Sequence, residues 1–140
     1  MSAHLQVSSP LGAEQSLKPL QIATLAAYGV VLWFLAALAI RYGTPPGIFG
    51  PRANVPVYAA TAAGCFALIW AASRSSRLPP GQMLPAIALV SLAALLCDGW
   101  AIAWWPTLYG AEPALLLPGI AWLSFAVGIC LLWTLVLQRR

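Results

Sequence analysis

Asp98 is the residue on which any chemistry in this chain has to turn. It lies in Leu95–Trp105, "LLCDGWAIAWW", a carboxylate in an apolar run that also holds three tryptophans. An ionisable residue inside a membrane-length apolar segment marks a functional site by default, because hydrocarbon offers its charge no solvation. Two chemistries fit such a lone carboxylate. It can be half of a structural ion pair, or it can bind and release a proton or cation during transport.

Arg41 is the expected partner. It closes the first apolar run, "LWFLAALAIRYG" (Leu32–Gly43). Asp98 stands seven residues before Trp105, about 10 Å from that helix end at about 1.5 Å per residue. The arginine side chain can reach inward from the interface while its backbone stays there. Thr61 and Tyr58, and Trp122 or Ser124, fall at comparable depths. The expected arrangement is a buried Arg41–Asp98 pair with Thr61 or Tyr58 hydrogen-bonded to it. These four are the candidate substrate- or ion-binding residues. Ser91, Ala94, Asp98 and Ala101 share one helical stripe, small and weakly polar, which should turn Asp98 towards its neighbours.

Other chemistries lack their residues. Cys65, Cys97 and Cys130 all lie in apolar runs without a CxxC spacing, and His4 is the only histidine. Neither a zinc nor a haem site can be assembled from them, so no metal and no cofactor is expected. The chain has no P-loop, GxSxG, HExxH or paired carboxylates. No catalytic residue is assigned, and an enzyme is not expected. The net charge of +4 comes from Lys18, Arg41, Arg52, Arg74, Arg77, Arg139 and Arg140, set against three acids. They sit at the ends of apolar runs and form no stripe, which argues against nucleic acid as a partner.

The elements that must position Asp98 follow from composition. The chain is 61% hydrophobic and 7% charged. Soluble domains carry about 25% charged residues, so too little polar surface is present to cover a water-soluble fold. Hydropathy predicts four spans, at 20–40, 55–72, 83–105 and 114–137, each near the length that crosses a bilayer. Residues 1–19 read as a polar, loosely held tail, and 20–140 as one transmembrane domain. The fold class expected is all-α, a four-helix transmembrane bundle. Pro56, Pro85 and Pro118 fall in or near first helical turns, where a missing N–H costs little.

An acid at the centre of a helix costs roughly 2.5–3.5 kcal/mol, and each Leu, Ile or Val returns about 0.3–0.6. The third span has enough of these for its sum to favour insertion. Four spans put both termini on one side, with Lys18, Arg74, Arg77, Arg139 and Arg140. Arg41, Arg52 and Glu112 share the other. The positive-inside rule then places both termini in the cytoplasm.

Tyr42, Tyr58, Trp104, Trp105 and Tyr109 collect near the outer boundary, and Trp70 and Trp133 near the inner one, as two aromatic belts would. Ile48 and Phe49 are expected to enter the interface from the first loop. Ala60 and Gly64 give small-xxx-small spacing, suited to close packing within the protomer or to a homo-oligomer through small-residue helix faces; Gly128 is expected to act similarly. Leu25–Pro46 slides onto Leu92–Pro113 without gaps, aligning Trp33 with Trp100 and Tyr42-Gly43 with Tyr109-Gly110. That hints at two tandem hairpins in a parallel repeat.

Arg41 closing the first helix, and Asp98-Gly99 followed by Trp105-Pro106, together with "AWLSFAVGICLLWTL" (Ala121–Leu135), resemble the small four-helix membrane proteins grouped as domain of unknown function family 5367. The resemblance spans roughly residues 20–137. It implies an integral membrane protein of the bacterial inner membrane and carries no activity with it. The small multidrug transporters also have four short helices, but their essential acid is in the first helix, where this chain has none. The functional expectation is a multi-pass integral membrane protein, structural or accessory in class, whose Arg41–Asp98 pair pins the first helix to the third. The alternative is a small proton- or cation-coupled transporter using Asp98. The lipid bilayer is the expected partner.

Overall fold

Runs of Leu, Ala, Ile and Val leave the backbone few ways to satisfy its N–H and C=O groups away from water, and the helix does so within one segment. The computed structural model describes residues 17–49, 54–75, 80–110 and 116–138. These form α1 (Pro19–Gly43), α2 (Asn54–Ser75), α3 (Met83–Trp104) and α4 (Leu116–Gln138), with single 3-10 turns at Pro80–Gln82 and Pro106–Leu108. All four helices are long and apolar enough to cross a membrane, and no strand occurs among the described residues. The all-α four-helix expectation therefore holds. The first 16 residues of the polar tail, with Arg52, Arg77, Glu112, Arg139 and Arg140, lie outside the described residues.

The helix ends have local causes. Pro19 opens α1 at a position where its missing N–H is no loss. Gln21 Oε1 accepts the Lys18 N–H at 2.8 Å, the glutamine half of a capping box. α1 runs past the expected Ile40 to Gly43, because hydrogen bonding does not stop where hydropathy falls. Thr44 N–H still reaches the Ile40 carbonyl at 3.0 Å, and Pro45-Pro46 then ends the helix. Gly47, at φ 78°, turns the chain back. That turn puts Phe49 into the protein at 5% exposure, its ring 5.0 Å from Trp122, and not into the interface as expected. Ile48 does stay exposed. Pro56, Pro85 and Pro118 are each the third residue of a helix, as the sequence requires.

α1 packs chiefly on α3, α2 on α4, and α3 on α4, whereas α1 and α2 hardly meet. Alternate helices run the same way. Gly29 of α1 faces Val90 and Ala93 of α3, and Arg41 near its end meets Thr107 beyond the end of α3. Tyr58 of α2 meets Phe125 of α4 at a tilt, and Phe66 meets Trp133 edge-on. The buried core, with Ala37, Ile40, Phe49, Ala101, Tyr109 and Leu123, gathers towards the end that carries residues 44–49 and 105–110, here the Tyr109 end. Leu20, Val55, Leu96 and Leu117 point out at 66% exposure or more, as lipid-facing side chains would.

Close approach falls on glycines other than those expected. A Cβ on Gly29 would lie 2.5 Å from the Val90 carbonyl oxygen, and one on Gly119 2.6 Å from Ile40 Cγ2. Gly64 and Gly128 face open space, so the Ala60–Gly64 spacing does not pack helices within the protomer. The aligned repeat positions also differ in setting. Tyr42 is 70% exposed and Tyr109 1%, and Trp100 is exposed where Trp33 is half-buried.

Candidate functional site

α3 presents Ser91, Asp98 and Ala101 to the interior, as the small-residue stripe predicts. Asp98 is 6% exposed. What meets it is not a cation. Beyond α3, the turn at Pro106–Leu108 is closed by Leu108 N–H on the Trp105 carbonyl at 3.0 Å and Tyr109 N–H on the Pro106 carbonyl at 3.1 Å. This reversal carries Tyr109 back over the helix, where its hydroxyl donates to Asp98 Oδ1. The same hydroxyl oxygen accepts the Trp33 indole N–H of α1 at 3.0 Å. Trp33, Tyr109 and Asp98 thus form a chain of donors ending on a carboxylate. Burial first, and the hydrogen bond to Asp98 second, push the Tyr109 phenol above its usual range, so it keeps the proton it donates.

The Arg41–Asp98 pair is not formed. Arg41 is exposed, and its guanidinium donates to the Thr107 carbonyl at 3.4 Å. The cause is rotational. Ala37 and Ile40 occupy the inward face of the last turns of α1, so Arg41, one residue on, is carried about 100° around the helix and away from α3. Tyr109, meanwhile, occupies the approach to Asp98 from that end. Thr61 and Tyr58 do not bond to the acid either. Thr61 accepts the Trp122 indole N–H at 2.7 Å and donates to the Val57 carbonyl at 2.8 Å. The Tyr58 ring lies 4.7 Å from that of Phe125. Ser124 donates to its own helix, at Ile120.

Tyr109 and Trp33 are the site residues that sequence reasoning missed. The belt pattern places Tyr109 at the interface, and it is core. A signal existed: a buried acid needs donors, and a Trp-Pro turn in the short link between α3 and α4 can return one. Trp133 likewise leaves the belt pattern, donating its indole N–H to the Ala62 carbonyl at 3.0 Å.

Asp98 Oδ2 is buried and has no hydrogen-bond partner among the described residues. Asp98 also lines a cavity of about 400 Å³ to which all four helices contribute. Its walls are mostly apolar, with Leu32, Ile69, Ile87, Val90 and Leu123 among them, and Trp33 and Trp122 also line it. The cavity lies where α1 and α2 fail to meet. Thr61 and Trp122 line it and also line a second, open cleft of about 590 Å³ at the Tyr109 end, so their hydrogen bond stands between the two spaces. Cys65 and Cys130 lie further along the cavity, the Cys65 thiol donating to the Ala126 carbonyl at 3.8 Å; Cys97 is not on its wall. No group of three or more metal-ligating side chains occurs among the described residues. No family model, no curated protein and no solved structure matches the chain.

Proposed function

We propose that this chain is a multi-pass membrane protein that binds a proton or cation at Asp98, as a small transporter would. The observation that carries the reading is the half-satisfied carboxylate at the cavity wall. An ionised carboxylate offers about four lone-pair sites, and a protonated one needs an acceptor for its O–H. In either form Oδ2 lacks, among the described residues, the partner that buried polar groups have as a rule. A cavity beside it gives a proton or cation somewhere to arrive, and the Thr61–Trp122 bond stands where a path from the open cleft would enter.

A second reading, structural or accessory, is favoured by a different observation. The Trp33–Tyr109–Asp98 chain ties α1 to α3 and to the turn beyond it. Both readings place the protein in the bilayer with both termini in the cytoplasm, on the charge bias of Lys18 and Arg74 against Arg41. The bacterial inner membrane and membership of family 5367 belong to the same proposal. So does a homo-oligomer through the exposed small face of α2, where Ala59, Ala63, Gly64 and Ala67 reach solvent or lipid. No catalysis and no nucleic-acid partner is proposed.

Proton flux into proteoliposomes under an imposed potential separates the two readings. The transporter reading expects flux above protein-free vesicles that is lost in Asp98→Asn. Equal flux in wild type and Asp98→Asn sinks it and leaves the structural reading.

A further inference from the structure

From the cavity geometry we infer the class of molecule that Asp98 serves: an elongated lipophilic monocation, its charged head at Asp98 and its apolar body along the cavity. The inference rests on the Asp98 reading above and adds a substrate class to it.

Three features of the site converge on that chemistry. The first is charge. Asp98 is the one acid among the described residues of the cavity wall, and its Oδ2 is unpartnered at 6% residue exposure. No described Lys or Arg lines the cavity with it. A ligand bearing one positive charge supplies what is missing, whereas a dication would leave a charge uncompensated in an apolar setting.

The second is the surroundings of the head. Trp33 and Trp122 line the cavity with Asp98, and both pack against the buried core that holds Tyr109. Indole faces beside a carboxylate suit an ammonium, including a quaternary one that donates no hydrogen bond. The hydroxyl and indole donors there are already spent. Trp33 N–H goes to Tyr109, Tyr109 O–H to Asp98, and Trp122 N–H to Thr61. Those donors are not free to greet an anion or a sugar, and the Ser91 hydroxyl on the wall lies seven residues back along α3.

The third is shape. On α3 the lining runs from Asp98 back to Ile87, eleven residues, or about 16 Å of helix. On α4 it runs from Trp122 to Cys130, about 12 Å. Beyond the acid the walls are Leu32, Leu68, Ile69, Val90 and Val127, with the two thiols. The space is long, polar at one end and greasy at the other. Its volume of about 400 Å³ falls in the range of small-molecule sites, about 300–1,000 Å³.

The thiols on the wall supply the test. In a Cys97→Ala background, only Cys65 and Cys130 remain to be alkylated by N-ethylmaleimide. The probe is 4-phenylbutyl-trimethylammonium, compared with its uncharged carbon isostere, in which a tert-butyl group replaces the ammonium. The expected result is that the cation slows alkylation of both thiols, saturably, at about tenfold lower concentration than the isostere, the scale of a desolvated cation–aromatic contact. In Asp98→Asn that preference disappears.

Equal protection by both probes overturns the inference and makes the cavity a niche for any apolar chain, such as a lipid tail. No protection by either also overturns it. The comparison of the two probes in the Cys97→Ala protein stands whether or not Asp98→Asn folds. Proton flux measured in the same proteoliposomes reports on Asp98 itself. A site that moves protons through Asp98 but ignores the probe charge therefore fails here without failing the reading beneath it.

Discussion

Tyr109→Phe removes one oxygen and tests the centre of the site. The ring stays, so packing at a residue that is 1% exposed is nearly unchanged. Two hydrogen bonds go: the one to Asp98 and the one from Trp33. The acid is left with both oxygens unsatisfied and the indole N–H without an acceptor. In water-soluble proteins each buried group orphaned in this way costs about 1–3 kcal/mol, more if charged. In membranes the unfolded reference state also finds partners, and single interhelical bonds average about 0.6 and reach about 1.7 kcal/mol. Two bonds converging on a buried carboxylate put the expected loss at about 1–3 kcal/mol. Asp98→Asn should cost less than about 1 kcal/mol, because the amide still accepts from Tyr109 and no charge is buried. In the Asp98→Asn background, Tyr109→Phe should therefore lose less than it does in wild type. The coupling should exceed about 0.5 kcal/mol, the usual limit of additivity for independent sites. Denaturant titration in mixed micelles, read by tryptophan fluorescence, measures all four corners. A Tyr109→Phe change with no loss of stability, or the same loss in both backgrounds, refutes the hydroxyl bridge.

Four further outcomes follow from the same geometry. Arg41→Gln and Asp98→Asn should add to within about 0.5 kcal/mol in a double-mutant cycle, since the guanidinium is on Thr107; coupling beyond that would restore the ion pair. Gly29→Ala should destabilise by about 1–3 kcal/mol, because its Cβ would lie 2.5 Å from Val90 O and 2.8 Å from Ala93 Cβ. Gly64→Ala, facing open space, should be neutral or gain up to about 1 kcal/mol of helix propensity, and thermal unfolding of the two variants side by side decides. The raised Tyr109 phenol means that the folded protein holds a proton which the unfolded chain gives up above about pH 10. Stability should thus fall as pH rises past that value, and the slope should flatten in Tyr109→Phe; identical profiles between about pH 9 and 11 would count against the burial of that hydroxyl.

The four helices were legible because hydrocarbon imposes a length and a composition that a linear chain displays openly. Their ends were legible to within a few residues, and Pro56, Pro85 and Pro118 sit where their missing N–H allows. Asp98 was legible as inward-facing because Ser91, Ala94 and Ala101 recur at helical spacing beside it. The partner was not. Charge complementarity pointed to Arg41, but one residue of helix rotation separates Arg41 from the inward-facing Ile40. The depth of a residue can be counted along a sequence; its azimuth relative to a helix far along the chain cannot. Nor did small-residue spacing single out Gly29 and Gly119 over Gly64 and Gly128, since an apolar helix shows little contrast between its faces.

Composition and hydropathy by themselves determined that this protein is helical, that it has four segments fit to cross a bilayer, and that one acid lies within the third. Those are properties of single segments, set by the transfer of side chains and the internal hydrogen bonding of each helix. The tertiary structure alone decided that α1 pairs with α3 and leaves a gap towards α2. It also decided that Tyr109 folds back to take one oxygen of Asp98, and that the other oxygen has no partner among the described residues and belongs to a side chain on a cavity wall. These depend on contacts between segments far apart in the chain, where a single turn after Trp105 outweighs the attraction between an acid and an arginine that never face each other.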